Sequence, residues 1–158
     1  SLYSSAFMYF ILIIVGLVMA LNSFREAGLI LSVAFLSIGL SFLGLFIGQQ
    51  NYGFIGTISA IGLIGLSIND SIIVLSHIKE EAEKKPLTKA ELIEVVIRST
   101  RHIITTSLTT LGGFLPLIFA SVFFKPLAWA MSIGVLGATI TALLYIPAMF
   151  MIMRKVKY

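Results

Sequence analysis

Apolar residues in this chain come in long, almost unbroken runs, with polar residues gathered between them. Five runs can be marked, at about 2–21, 28–48, 53–77, 102–123 and 127–153. Each approaches or exceeds the roughly 20 residues that a helix needs to cross a hydrocarbon layer about 30 Å thick. The pattern predicts an all-α membrane protein with five transmembrane helices. The turns NSFREAG (22–28), GQQNYG (48–53) and FKP (124–126) are short, so successive spans are expected to run antiparallel with no domain between them.

The one long connection is KEEAEKKPLTKAELIEVVIRSTR, residues 79–101. Within it Pro86 breaks the chain, Thr88 can cap a helix, and Glu91 three residues later completes a capping box. Leu87 and Leu92 stand at the positions of a hydrophobic staple. Leu92, Ile93, Val96 and Ile97 then form one apolar face. The expectation is an amphipathic cytoplasmic connector that lies on the membrane surface and orients the next span.

Small residues step through the spans: Gly53, Gly56, Ser59, Ala60 and Gly62 in the third, Gly112 and Gly113 in the fourth, Gly134, Gly137, Ala138 and Thr141 in the fifth. Such positions let helix backbones approach closely in lipid, where burial of apolar area provides no drive. Tight packing is expected at nearly all of them. Pro116 and Pro147 are expected to kink their helices.

Composition supports the membrane class. Hydrophobic residues make up 58% of the chain, charged residues only 11%, and the mean hydropathy is +1.05. Soluble domains carry about 25% charged residues. Cysteine is absent, which excludes disulfides and thiolate chemistry. The chain starts at Ser1 and its first apolar run has no basic flank, so a part of a larger membrane protein is expected, not a signal peptide.

A net charge of +4 is compatible with nucleic acid as a partner, but the basic residues are placed otherwise. Arg25, the six of the 79–101 connection and the terminal Arg154, Lys155 and Lys157 all fall on one side of a five-span chain, and Lys125 alone on the other. That asymmetry is a positive-inside signature. It places the amino terminus outside, the carboxyl terminus in the cytoplasm, and implies the lipid bilayer as partner, with no nucleic acid.

One stretch conflicts with the hydrocarbon pattern: GLSINDSIIVLSH, residues 65–77. Asp70 is the only aspartate of the chain and the only acidic residue within any predicted span. Helical spacing puts Ser67, Val74 and His77 on its face, with Leu63 and Leu66 above, and Asn69 on an adjacent face with Gly62, Gly65 and Ser76. An ionised carboxylate at the centre of a bilayer costs about 3 kcal/mol even on lenient scales. Such a residue is either protonated or faces a cavity or partner, as a group that binds and releases protons would. The fourth span adds RHIITTSLTTLGG, residues 101–113. Thr105, Thr106, Ser107, Thr109 and Thr110 point to a hydrated interior, although membrane hydroxyls also bond to their own helix. His77 and His102 fall at membrane boundaries and are expected to be interfacial. No nucleotide loop, metal-ligand spacing or nucleophile–base pair is visible, and a lone aspartate excludes an intramembrane aspartyl protease.

GLIGLSINDSIIVLSHI, TRHIITTSLTTLGGFLPL and SIGVLGATITALLYIPAMFMIMRK, with LYSSAFMYFILIIVGLVMALNSF before them, resemble the carboxyl-terminal spans of resistance–nodulation–division (RND) transporters. The likeness covers essentially the whole chain and corresponds to the last five of the family's twelve membrane helices. It implies a non-enzymatic, proton-driven efflux transporter of the bacterial inner membrane, with protons as coupling ion and neither cofactor nor metal. It also implies a homotrimer, large periplasmic domains, and an opposing half-bundle whose fourth helix carries an acidic pair absent here. By the same resemblance, Asp70, Asn69 and Thr106 are the proton-relay candidates. Asn69 stands where many members have lysine, which removes the lysine–aspartate charge switch, and Thr106 matches the relay threonine. Ser67, Ser71, Thr105, Thr109 and Thr110 are supporting polar residues, and Arg101 matches an arginine at the cytoplasmic end of that helix. The chain alone is expected to be inactive. The alternatives are a related lipid- or protein-export membrane domain and a helical anchor without transport.

Overall fold

The computed structural model describes residues 2–154, with side chains from 7 to 153. Lys155 and Lys157, counted above in the basic terminus, lie outside the described residues, as does Ser1. The elements are α1 (Leu2–Leu21), α2 (Phe24–Ile47), α3 (Phe54–Lys84), α4 (Lys89–Phe114), a single turn α5 (Leu117–Ala120) and α6 (Lys125–Arg154). Among the described residues four helical stretches are long and apolar enough to cross a membrane: α2, α3, α4 continued by α5, and α6. The apolar segment Phe7–Leu21 of α1 is shorter than these four. The all-α membrane class read from the sequence holds.

The helices overrun the predicted spans because hydropathy marks the thickness of the membrane, not the end of a helix. Nothing in residues 78–84 stops a helix, and Lys84 bonds back to Glu80 at 3.0 Å and Glu81 at 3.3 Å. Helix α3 therefore continues to Lys84, and only residues 85–88 are non-helical. The expected capping box restarts the chain. Glu91 N–H reaches Thr88 Oγ1 at 3.5 Å, and Thr88 N–H donates to Glu91 Oε2 at 2.9 Å. Both Leu87 and Leu92 of the staple are buried. From there α4 runs unbroken into the fourth span, so no separate helix lies on the surface. Its inner face follows the seam Leu92, Val95, Ser99, Ile103, Ser107 and Leu111, while Ile93 and Ile97 are exposed. At the far end α4 stops just before Pro116, which has no N–H to donate back along the helix; Leu115 before it keeps helical angles, and its N–H still reaches the Leu111 carbonyl. Pro147, by contrast, lies inside an α6 that continues to Arg154.

Helix α6 is the axis of the bundle, packed against α2, α3 and α4, while α2 also packs on α3 and α1 lies mainly against α2. Glycine sets the closest approaches. A Cβ at Gly44 would sit 2.6 Å from the Trp129 carbonyl oxygen and 2.9 Å from Ala130 Cα, and one at Gly137 would sit 2.6 Å from Leu40. Gly134 is likewise filled by Leu63, and Gly56 by Leu45. Gly53, Gly112 and Gly113 depart from the expectation, because a Cβ there would meet nothing within 4 Å. Those glycines face away from every described helix. The core is thus two apolar clusters. One, around Leu63, Leu111, Met131, Val135 and Ala138, lies toward the Lys125 end of α6. The other, around Ile30, Val33, Val74, Ile78, Ile103, Ile146 and Phe150, lies toward the connector.

Candidate functional site

Between the two clusters runs a belt of buried polar side chains. Asp70 is 1% exposed, and Ser67, Ser71, Ser107 and Thr139 are buried with it. The register follows from cross-helix contacts. His77 of α3 bonds Ser99 of antiparallel α4, which brings Asp70 level with Thr106 seven residues along each helix. Ser107 Oγ and Thr139 Oγ1 are 2.5 Å apart, which fixes α4 against α6 at the same depth.

The carboxyl group of Asp70 points inward with little to hold it. Its Oδ1 has no hydrogen-bond partner among the described residues, and neither has Ser67 Oγ one turn away. Ser71 donates to its own helix, at the Ser67 carbonyl oxygen, 2.7 Å away. A buried polar atom left without a partner costs about 1–3 kcal/mol, and more when charged. Among the described residues Ser41 and Ser132 also bury an unpartnered hydroxyl, but Asp70 is the one ionisable group so placed.

The other candidates are not drawn to it. Asn69 is exposed on the neighbouring face, with Gly62, Gly65 and Ser76. Thr106 is half-buried and donates to the His102 carbonyl at 3.1 Å. Thr105 donates to the Arg101 carbonyl at 2.8 Å, and Thr109 and Thr110 both donate to that of Thr106 at 2.8 Å. Arg101 is exposed. Within residues 101–113 the inward-facing hydroxyl is Ser107, because the buried seam of α4 passes through Ile103 and Leu111 and leaves the threonine stripe to one side.

Three pairings were not foreseen. Glu26, 4% exposed, lies at the start of α2 and takes a hydrogen bond from Lys79 Nζ at 3.0 Å; Lys79 also donates to the Leu21 carbonyl at 2.5 Å. One ammonium thus joins the end of α1, the start of α2 and the inner part of α3. Asn22, at φ 49°, supplies the reversal between α1 and α2. The spacing from Ser23 to Glu26 was a legible helix-start signal, and Ser23 Oγ does accept from Glu26 N–H at 3.4 Å. Its lysine partner lies 53 residues away and left no mark. Thr139 and the His77–Ser99 pair are the other two.

The chain matches the profile of the AcrB/AcrD/AcrF family over residues 2–154. It is 34% identical over 98 residues to the multidrug export protein AcrF of Escherichia coli (strain K12), covering 58% of this chain and 9% of that protein. It is 25% identical over 153 residues to the nickel-cobalt-cadmium resistance protein NccA of Alcaligenes xylosoxydans xylosoxydans, covering 94% and 14%. It is 32% identical over 85 residues to the protein translocase subunit SecF of Gemmatimonas aurantiaca, covering 51% and 25%. The chain therefore spans a quarter or less of the length of these relatives.

Proposed function

The chain belongs to the AcrB/AcrD/AcrF family, and on that premise we propose that it is the carboxyl-terminal membrane portion of a proton-driven RND exporter. Membership makes it a multi-pass membrane part of a transporter of the RND superfamily. The finer reading rests on Asp70, an acid sealed inside the bundle with an oxygen that no described group satisfies. An ionised carboxylate is costly there and a neutral one much less so. A conformational cycle that alternately admits and expels water would bind and release a proton at that atom.

Asn69, Thr106 and the remaining polar residues act, in this reading, around that event. Asn69 with Gly62 and Gly65 on α3, and Thr109, Gly112 and Gly113 on α4, make an uncovered face of small and polar residues. Only 17% of the α4 span is buried in the bundle, against 39–44% of α2, α3 and α6. This is the face on which the opposing half of the membrane domain would close. The excess of basic residues at the connector end favours a cytoplasmic position for that end, and the family resemblance favours a bacterial inner membrane and a homotrimer exporting amphiphilic compounds.

The second reading, export of a polypeptide, is favoured by the likeness to a protein-translocase subunit. The test is Asp70→Asn in the full-length protein at matched expression. Loss of drug resistance and of proton flux is expected. Unchanged values for both would reject the coupling role, and lost proton flux with intact drug resistance would favour the second reading.

A further inference from the structure

The seam between α3 and α4 carries two titratable side chains besides Asp70. His77 Nδ1 lies 2.8 Å from Ser99 Oγ, and that hydroxyl donates to the Val95 carbonyl at 3.1 Å. A serine hydroxyl has a single proton, so toward His77 it accepts. The neutral ring therefore holds its proton on Nδ1 and leaves Nε2 as the free base. Ser99 is buried while His77 is exposed, so one edge of the ring is anchored and the other is available to water.

The same bond sets the register. Three residues further along α4, His102 stands level with Val74 of α3, and Asp70 lies one turn beyond. At about 1.5 Å per residue, His102 is about 5 Å deeper than His77, and Asp70 about 6 Å deeper again. His102 is close enough to Asp70 to act on it electrostatically. Other charges at this end are occupied or set aside. Lys79 pairs with Glu26, Glu80 (within reach of His77) with Lys84, and Arg98 with Glu94 at 2.7 Å. Arg101 is exposed. Between Lys125 and Arg154 the only titratable residue of α6 is Tyr145, whose hydroxyl is hydrogen-bonded with that of Ser32.

We propose that His102 and His77 are the path by which Asp70 exchanges protons with water at the basic end of the bundle. The inference rests on the reading of Asp70 as the coupling acid. His77 takes up a proton at Nε2 and becomes an imidazolium still bound to Ser99 through Nδ1–H. It releases a proton from the same nitrogen through water to His102, and His102 passes one to the carboxylate of Asp70. One proton moves, nothing is oxidised, and the reverse sequence empties the acid.

Two measurements on the full-length protein test this. In ¹⁵N spectra of histidine-labelled protein, assigned with His77→Gln, neutral His77 is expected as the Nδ1–H tautomer, and Ser99→Ala should release that preference. In proteoliposomes, His77→Gln and His102→Gln are each expected to slow proton flux about tenfold, and added imidazole should restore flux in both, since both sites are exposed. An Nε2–H tautomer, wild-type flux in both histidine variants, or slow flux that imidazole does not restore would each overturn the path. Asp70→Asn separates the two levels: lost flux there beside normal histidine variants removes the path alone, whereas wild-type flux in Asp70→Asn removes the reading beneath it as well.

Discussion

The Glu26–Lys79 pair makes an asymmetric prediction. The side chain of Glu26 is 6% exposed and that of Lys79 is 23% exposed. Lys79→Met takes the Lys79 ammonium away from a buried carboxylate, a loss worth about 3–5 kcal/mol for a buried pair. Glu26 lies in the first turn of α2, where the helix dipole favours negative charge by about 1 kcal/mol. That retained interaction reduces the expected cost to about 2–4 kcal/mol. Glu26→Gln acts on the other partner. Lys79 loses one charge-assisted bond, but its long stem can carry the ammonium to water, and the Leu21 carbonyl remains available to it. About 1–2 kcal/mol is expected. The two variants should therefore differ by about 1–2 kcal/mol, roughly tenfold in the unfolding equilibrium.

The assay is equilibrium unfolding in mixed micelles, followed by far-ultraviolet circular dichroism, on the two single variants and on Glu26→Leu/Lys79→Met. The double variant should recover most of the loss, since apolar groups of similar size replace a buried pair at little cost. A Glu26→Gln variant as unstable as Lys79→Met, or a double variant with the summed losses, would refute the reasoning. The first outcome would mean that the ammonium is the trapped charge, the second that the two side chains do not act on each other.

The glycines divide by surroundings. Gly44→Ala should destabilise the bundle by about 1–3 kcal/mol, because its Cβ meets backbone that cannot swing aside. Gly113→Ala should leave the thermal stability of this half-bundle unchanged, and thermal melts of the two variants check both. Glu91 should titrate abnormally: the Lys85 ammonium and the amide and hydroxyl of Thr88 hold its carboxyl down, from an ordinary 4.5 to about 2. Because the folded value is depressed, the capping contribution is present above about 4.5 and lost as pH falls toward about 2. A ¹³C carboxyl titration of Glu91 should show that midpoint, and a value near 4.5 would mean the box is open in solution.

The helices were legible because hydrophobic runs of membrane length have few other meanings. The capping box at Thr88 and Glu91 was legible because it is local. Orientation was harder. Leu92 was correctly placed inside, yet Ile93 and Ile97 proved exposed and Val95 buried, because the seam of α4 is set by the α3 and α6 surfaces it meets. Gly134 and Gly113 read alike in sequence, and only the presence of Leu63 beside the first separates them. Lys79 looked like one of several connector lysines until the bundle brought it to Glu26.

The same gap between composition and arrangement governs the polar belt. A run of hydroxyls one helix away from a buried acid looks in sequence like solvation for that acid. Each hydroxyl, however, has one proton, and those of Ser71, Thr105, Thr106, Thr109 and Thr110 go to carbonyls of their own helices. Ser107 and Thr139 bond to each other, with Ser107 also within 2.9 Å of the Ile103 carbonyl. Of the hydroxyls on the face of Asp70, that of Ser67 alone has no partner among the described residues. Apart from Ser67, the helices have therefore used these donors internally, and the belt makes the interior polar with little solvation of the carboxylate. Within these helices only the Ser67 hydroxyl and the nearby His102 remain to act on a charge at Asp70, and the rest of its stabilisation must arrive as water or as another part of the protein. That requirement is what would tie the ionisation of Asp70 to the opening of the bundle.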